Sequence, residues 1–136
     1  MMVGTIVVTH GGIGKELVRA VQTIVREPNP LVGVALEQSE SVDQMRHKIE
    51  QAIREMDSGE GVLLLSDMFG GTPSNLCLSF LKEGKVEVVT GVNLPMLIKM
   101  ASLKEKKSLE EIADFIKNYG QKNIARATEV LHGNRS

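Results

Sequence analysis

One cysteine, no tryptophan and almost no other aromatic residue stand in these 136 residues, and each shortage narrows what the chain can be. A lone thiol, Cys77, has no partner for an internal disulfide, so the chain fits a reducing compartment and must hold itself together by its core. At 3% aromatic content, base-stacking platforms are not expected. Sixteen Lys and Arg against seventeen Asp and Glu give a formal net charge of −1, without the basic excess of a nucleic-acid or membrane-surface binder. No apolar run approaches the ~20 residues of a membrane span. Residues 1–9 lack the basic start of a secretory leader. The expectation is a cytoplasmic protein with one domain over residues 1–136, long enough to bury a core unaided.

Hydrophobic patterning supplies the architecture. Residues 3–8 ("VGTIVV"), 31–36 ("LVGVAL"), 61–66 ("GVLLLS") and 86–91 ("VEVVTG") read as buried strands, apolar on both faces. Between them lie helical patterns. Leu17, Val18, Val21, Ile24 and Val25 recur along 14–26. Ser41 and Gln44 form a capping box ahead of Val42, Met45, Ile49, Ile53 and Met56. Pro73 follows Thr72, read as a cap. A short helix after "VNLPM" reaches about residue 103, and Ser108 with Glu111 caps another that ends near Gly120. The βαβαβαβα order predicts an α/β fold: a doubly wound, mainly parallel sheet covered by helices on both sides. The end of the chain differs. In "NIARATEVL", 123–131, Ile124, Arg126, Thr128 and Val130 alternate as in an edge strand, and 132–136 read as a frayed tail.

Ligands of open parallel sheets bind beyond the carboxyl ends of the strands, where strand order reverses. His10, Gly11 and Gly12 follow the first strand; Glu37, Gln38 and Ser39 the second; Asp67, Gly70, Gly71 and Thr72 the third; Gly91 and Asn93 the fourth. With the order 2-1-3-4, His10 and Asp67 flank one switch point. A carboxylate that accepts the proton of one imidazole nitrogen fixes the tautomer and leaves the other nitrogen bare as a nucleophile. Glycines beside it let backbone N–H groups approach an anion. The set suits a phosphoryl group carried on His10. His47 and His132 read as solvated, Cys77 as core, and 104–107 as a solvated loop. Met68, Phe69, Val92, Leu94 and Met96 crowd the same turns as an apolar rim or as core. Nucleotide motifs fail: Thr9 stands where a P-loop needs glycine, Glu16 where it needs Ser or Thr, and Leu17 where a dinucleotide loop needs its third glycine. No other His or Cys lies at ligand spacing from His10, so neither metal nor cofactor is expected.

At these residues the chain resembles a known family. "THGGIGKEL", "SDMFGGTPSN" and "GVNLPML", in this order over nearly the whole length, are similar to the enzyme IIA component of the mannose-type bacterial sugar phosphotransferase system. The resemblance implies a phosphotransferase component with a phosphohistidine intermediate. It would accept a phosphoryl group on His10 from the histidine-containing phosphocarrier protein and pass it to a IIB component, with Asp67 orienting the ring. Thr72 would offer its hydroxyl, and Gly11, Gly12, Gly70 and Gly71 their backbone, to the phosphoryl oxygens. It also implies a homodimer that exchanges the C-terminal strand, and peripheral association with a membrane transporter. Many relatives carry IIB on the same chain; here IIB is expected to be separate. The family often has an aromatic where this chain has Ser74, and in some members tryptophan where it has Phe69; both departures bear on partner choice more than on transfer.

Other outputs share this chemistry. A relative of the fold feeds phosphoryl groups to a dihydroxyacetone kinase, and a regulatory module would report phosphorylation state without moving sugar. A phosphohistidine phosphatase or mutase fits poorly, since such enzymes need arginines around the histidine; position 9 is Thr9 and no arginine falls on this edge.

Overall fold

Strands that are β-branched and apolar on both faces need covering on both sides, and the chain supplies helices for each. In the computed structural model, which describes residues 2–133, the elements run β1 (Gly4–His10), α1 (Ile13–Ile24), β2 (Leu31–Leu36), α2 (Val42–Met56), β3 (Val62–Ser66), α3 (Thr72–Leu78), β4 (Val86–Thr90), α4 (Leu94–Ser102), α5 (Leu109–Lys122) and α6 (Ala127–Leu131). The four strands are parallel, in the order β2-β1-β3-β4 that the pattern predicts. The switch point therefore lies between β1 and β3.

Alternate side chains of the strands feed two cores. Val7, Leu63 and Leu65 pack with Val21, Leu97, Ile112 and Ile116 of α1, α4 and α5. Ile6, Val8 and Leu64 pack with Ile49, Leu76 and Cys77 of α2 and α3. Full burial of each such aliphatic side chain contributes about 1.5–3 kcal/mol. The capping boxes form as read: Gln44 N–H donates to Ser41 Oγ at 3.1 Å, and Glu111 N–H to Ser108 Oγ at 3.1 Å. The start of α1 is pressed onto the sheet at two glycines. A Cβ built on Gly33 of β2 would lie 2.7 Å from the Lys15 backbone nitrogen, and one on Gly14 would lie 2.8 Å from the Val7 carbonyl oxygen.

Three local readings change. β1 runs on to His10, which pairs in register with Leu36, because the parallel ladder with β2 continues past residue 8; the next N–H, of Gly11, still donates to the Leu36 carbonyl at 2.9 Å. Thr72 is not the cap of α3. Gly71 is, with no side-chain cap bond of its own, and Ser74 provides the side-chain bonding of that turn instead. The segment 123–131 is not a strand. Asn123 caps α5, and Ala127–Leu131 is a short helix with no buried residue. A strand there needs a neighbour to satisfy its backbone, whereas a helix bonds to itself. Arg126 settles the turn by donating to Glu129 Oε1 and to Thr128 Oγ1, both at 3.0 Å. Of the expected frayed tail, His132 and Gly133 close α6 through N–H bonds to Thr128 and Val130; residues 134–136 lie outside the described residues.

Candidate functional site

The last residue of β1 and the first after β3 meet at the switch point. One oxygen of Asp67, Oδ2, accepts the His10 backbone N–H at 3.0 Å and lies 2.8 Å from His10 Nδ1. The other, Oδ1, accepts the Met68 N–H at 3.1 Å. Burial alone would raise the Asp67 pKa, but the His10 ring and backbone bonds outweigh it and hold the carboxyl below its ordinary value. An ionised carboxylate only accepts, so Nδ1 carries the ring proton. Nε2 of the neutral ring is then bare, and it has no hydrogen-bond partner among the described residues. The His10 side chain is 50% exposed and the Asp67 side chain 15%, so the nucleophile is open while its support is covered.

His10, Leu36, Glu37, Gln38, Met45, Thr72 and Pro73 line a cleft of about 460 Å³. On the β2 side, Glu40 accepts the Glu37 N–H at 2.8 Å and pairs with the Lys48 ammonium at 2.9 Å, while Lys48 also donates to the Ala35 carbonyl. This clamp fixes the loop that forms that wall. A hollow of comparable size, about 510 Å³, runs along β4 and α5 past Glu87, Val89, Asp114 and Lys117; it contains no histidine and is remote from the switch point.

The glycines divide into separate tasks. Gly70 has φ +95°, a conformation costly for any other residue type, and its N–H donates to Ser74 Oγ at 2.9 Å. Gly71 has ordinary φ but no room: a Cβ built on it would lie 2.9 Å from His10 Cε1 and 3.2 Å from Nε2. The Gly11 N–H donates to the Leu36 carbonyl and the Gly70 N–H to Ser74 Oγ, so both donors are already engaged within the protein. The N–H groups of Gly12, Gly71, Thr72 and Ser74 have no partner among the described residues. Thr72 lines the cleft and is exposed.

The remaining candidates also resolve. Met68 and Phe69 are 53% and 71% exposed beside the site, Met96 is buried, and Val92 and Leu94 are half-buried against the α4–α5 core. His47 and His132 are exposed on α2 and beyond α6. Burial pushes the Cys77 thiol up to about 12, with the Asp67 charge adding to it, so it is core rather than nucleophile. Three contributors escape a reading by motif. They are the Glu40–Lys48 clamp, Thr9, whose buried hydroxyl accepts the Gly14 N–H at 2.8 Å and so ties the β1–α1 turn, and Ser74. The one sequence signal was position: Thr9, Glu40 and Ser74 lie within four residues of a strand end or turn, whereas Lys48, two turns into α2, carried no such signal.

A doubly wound α/β domain with a carboxylate-held imidazole at its switch point is thus the class that fold and site define. The family model described as PTS system fructose IIA component matches residues 4–117, and the chain belongs to this EIIA family of the phosphotransferase system. It is 31% identical over 131 residues to the "PTS system fructose-specific EIIA component" of Bacillus subtilis, covering 96% of this chain and 90% of that one. It is 23% identical over 126 residues to the "PTS system mannose-specific EIIAB component" of Escherichia coli, 91% of this chain but only 39% of that longer protein. Among solved structures, the PTS IIA protein associated with the fucose utilization operon of Streptococcus pneumoniae superposes with a TM-score of 0.80 at 28% identity, over 96% of this chain and 99% of that one. No helix among the described residues is long and apolar enough to cross a membrane.

Proposed function

We propose that the chain is a cytoplasmic phosphocarrier that receives a phosphoryl group on His10 Nε2 from a histidine-containing phosphocarrier protein and passes it to a IIB component. The observation that carries this reading is the Asp67 Oδ2–His10 Nδ1 contact of 2.8 Å, which leaves Nε2 free at an open cleft. In the forward step the Nε2 lone pair forms the new N–P bond while the donor's N–P bond breaks, and its electron pair stays on the donor's ring. The proton remains on Nδ1, so the phosphorylated ring is cationic and Asp67 offsets its charge. The second step repeats this with IIB as acceptor. The open N–H groups of Gly12, Gly71 and Thr72 and the Thr72 hydroxyl would receive the phosphoryl oxygens, a narrower cradle than one that includes Gly11 and Gly70. The relatives' names span fructose and mannose, so likeness supports the chemistry at His10 rather than a particular sugar.

Docking would use the exposed Met68 and Phe69 beside the cleft, with the transporter complex reached through IIB. A homodimer would be built through residues 123–131, where Ile124, Val130 and Leu131 stand exposed on a segment with no buried residue. The test is intact mass after incubation with phosphoenolpyruvate and the general phosphotransferase proteins. One acid-labile phosphoryl group is expected, absent from His10→Ala and retained in His47→Ala and His132→Ala. A label that persists in His10→Ala would overturn the assignment.

A further inference from the structure

Ser74 adjoins the Gly-Gly turn after β3, next to a site whose partner contacts it was expected to influence. Its side chain is fully buried, so it cannot read a partner directly. It closes a ring of bonds instead. Its Oγ accepts the Gly70 N–H at 2.9 Å and donates to the Gly71 carbonyl at 3.0 Å. Ser74 is the third residue of α3, so this staple moors the Gly-Gly turn to a helix whose Pro73, Leu76 and Cys77 are all buried. The moored turn is the one that borders the imidazole, since anything larger than hydrogen on Gly71 would meet Cε1 and Nε2.

We infer that Ser74 is a positioning residue for phosphoryl transfer at His10, fixing the Gly71 wall against the Cε1–Nε2 edge of the ring while Asp67 holds Nδ1. The inference rests on the phosphocarrier reading. One constraint at Nδ1 and one along the adjoining Cε1–Nε2 edge leave one orientation for the attacking lone pair, and the same staple sets where the Gly71 and Thr72 N–H groups stand. Without the hydroxyl, the Gly70 N–H loses its partner, and the Gly71 carbonyl keeps only the first helical bond, accepted from Asn75 N–H at 3.0 Å.

The test is steady-state and rapid-quench transfer from the phosphorylated carrier protein to wild type, Ser74→Ala and Ser74→Thr. Ser74→Ala is expected to lower the maximal transfer rate by about 10- to 10²-fold, the scale of a small misplacement of reacting groups, with the KM for the donor unchanged. Ser74→Thr, which keeps the hydroxyl, should restore most of the rate. A wild-type rate in Ser74→Ala, or a raised KM with an unchanged maximal rate, would overturn the inference. If Ser74→Ala does not fold, Gly71→Ala tests the same wall: its backbone suits any residue, its Cβ crowds the ring while touching Pro73 only at an ordinary 3.7 Å, and it should slow transfer at constant KM, with a wild-type rate overturning the idea. Failure of wild type itself to become labelled would instead refute the phosphocarrier reading, so the two outcomes are separate.

Discussion

At Asp67 a single carboxylate oxygen serves both the backbone and the ring of His10. Replacing it with asparagine keeps the size but presents a neutral amide where an anionic acceptor stood. Transfer to His10 should fall roughly 10²–10⁴-fold, by analogy with other orienting carboxylates, as read by rapid quench; a wild-type rate would reduce Asp67 to a turn residue. Because its pKa is lowered on folding, Asp67 contributes stability that is fully present above the ordinary carboxylate value of about 3.9 and is lost as pH falls through the lower folded value. Asp67→Asn should therefore flatten the acid limb of a stability–pH curve measured by urea denaturation, while changing stability near neutral pH by only about 1 kcal/mol. His10 and Asp67 could be found in the sequence because each follows an apolar run directly. Thr9 and Ser74 could not, because nothing in residue type or spacing says that a hydroxyl will turn inward to a backbone amide.

Element boundaries follow the same division. Strands and both capping boxes were legible, since burial on two faces and the Ser-x-x-Gln and Ser-x-x-Glu spacings are local facts. The true cap of α3 was not, because two candidate starts, Gly71 and Thr72, adjoin one proline. How α1 seats on β2 was equally hidden, being a contact between Gly33 and a backbone eighteen residues earlier in the chain. Gly33→Ala should cost about 1–3 kcal/mol, the usual penalty of overpacking, because the new methyl meets main-chain atoms rather than a movable side chain. A denaturant midpoint equal to wild type would mean that α1 slides freely on the sheet. This change should also loosen the turn that presents His10, so transfer should slow along with the loss of stability.

For the molecule as a whole, the parallel sheet was readable from the alternation of strands and helices, and the order 2-1-3-4, which alternation alone does not give, was an expectation that the pairing matches; the course of residues 123–133 was not readable. Alternation along 123–131 speaks for a strand only if another strand is there to receive it, and pairing is a property of the assembly rather than of the segment. In the single chain Ala127–Leu131 coil into α6, and Ile124, Val130 and Leu131 are exposed. A chain ending after Asn123 keeps α5 and its cap, and should run as a monomer in light scattering where the full chain runs as the proposed dimer, with little loss of its own secondary structure. An unchanged mass ratio would place the dimer contact elsewhere, with the outer edge of β4 the next surface to test.

Cys77 gives this protein a built-in stopwatch. The only thiol in the chain is shut beneath α3, the helix whose first turn carries Gly71 and Ser74. A thiol reagent can reach it only while that helix is lifted from the sheet. Labelling should then run slower than for a free cysteine by the opening equilibrium constant, about tenfold for each 1.4 kcal/mol. Mixing intact protein with an excess of reagent and following colour against time would report how often the floor of the site comes loose, with no engineered probe. Loading His10 with its phosphoryl group should lengthen that interval if the oxygens engage the α3 amides, and leave it unchanged if they do not.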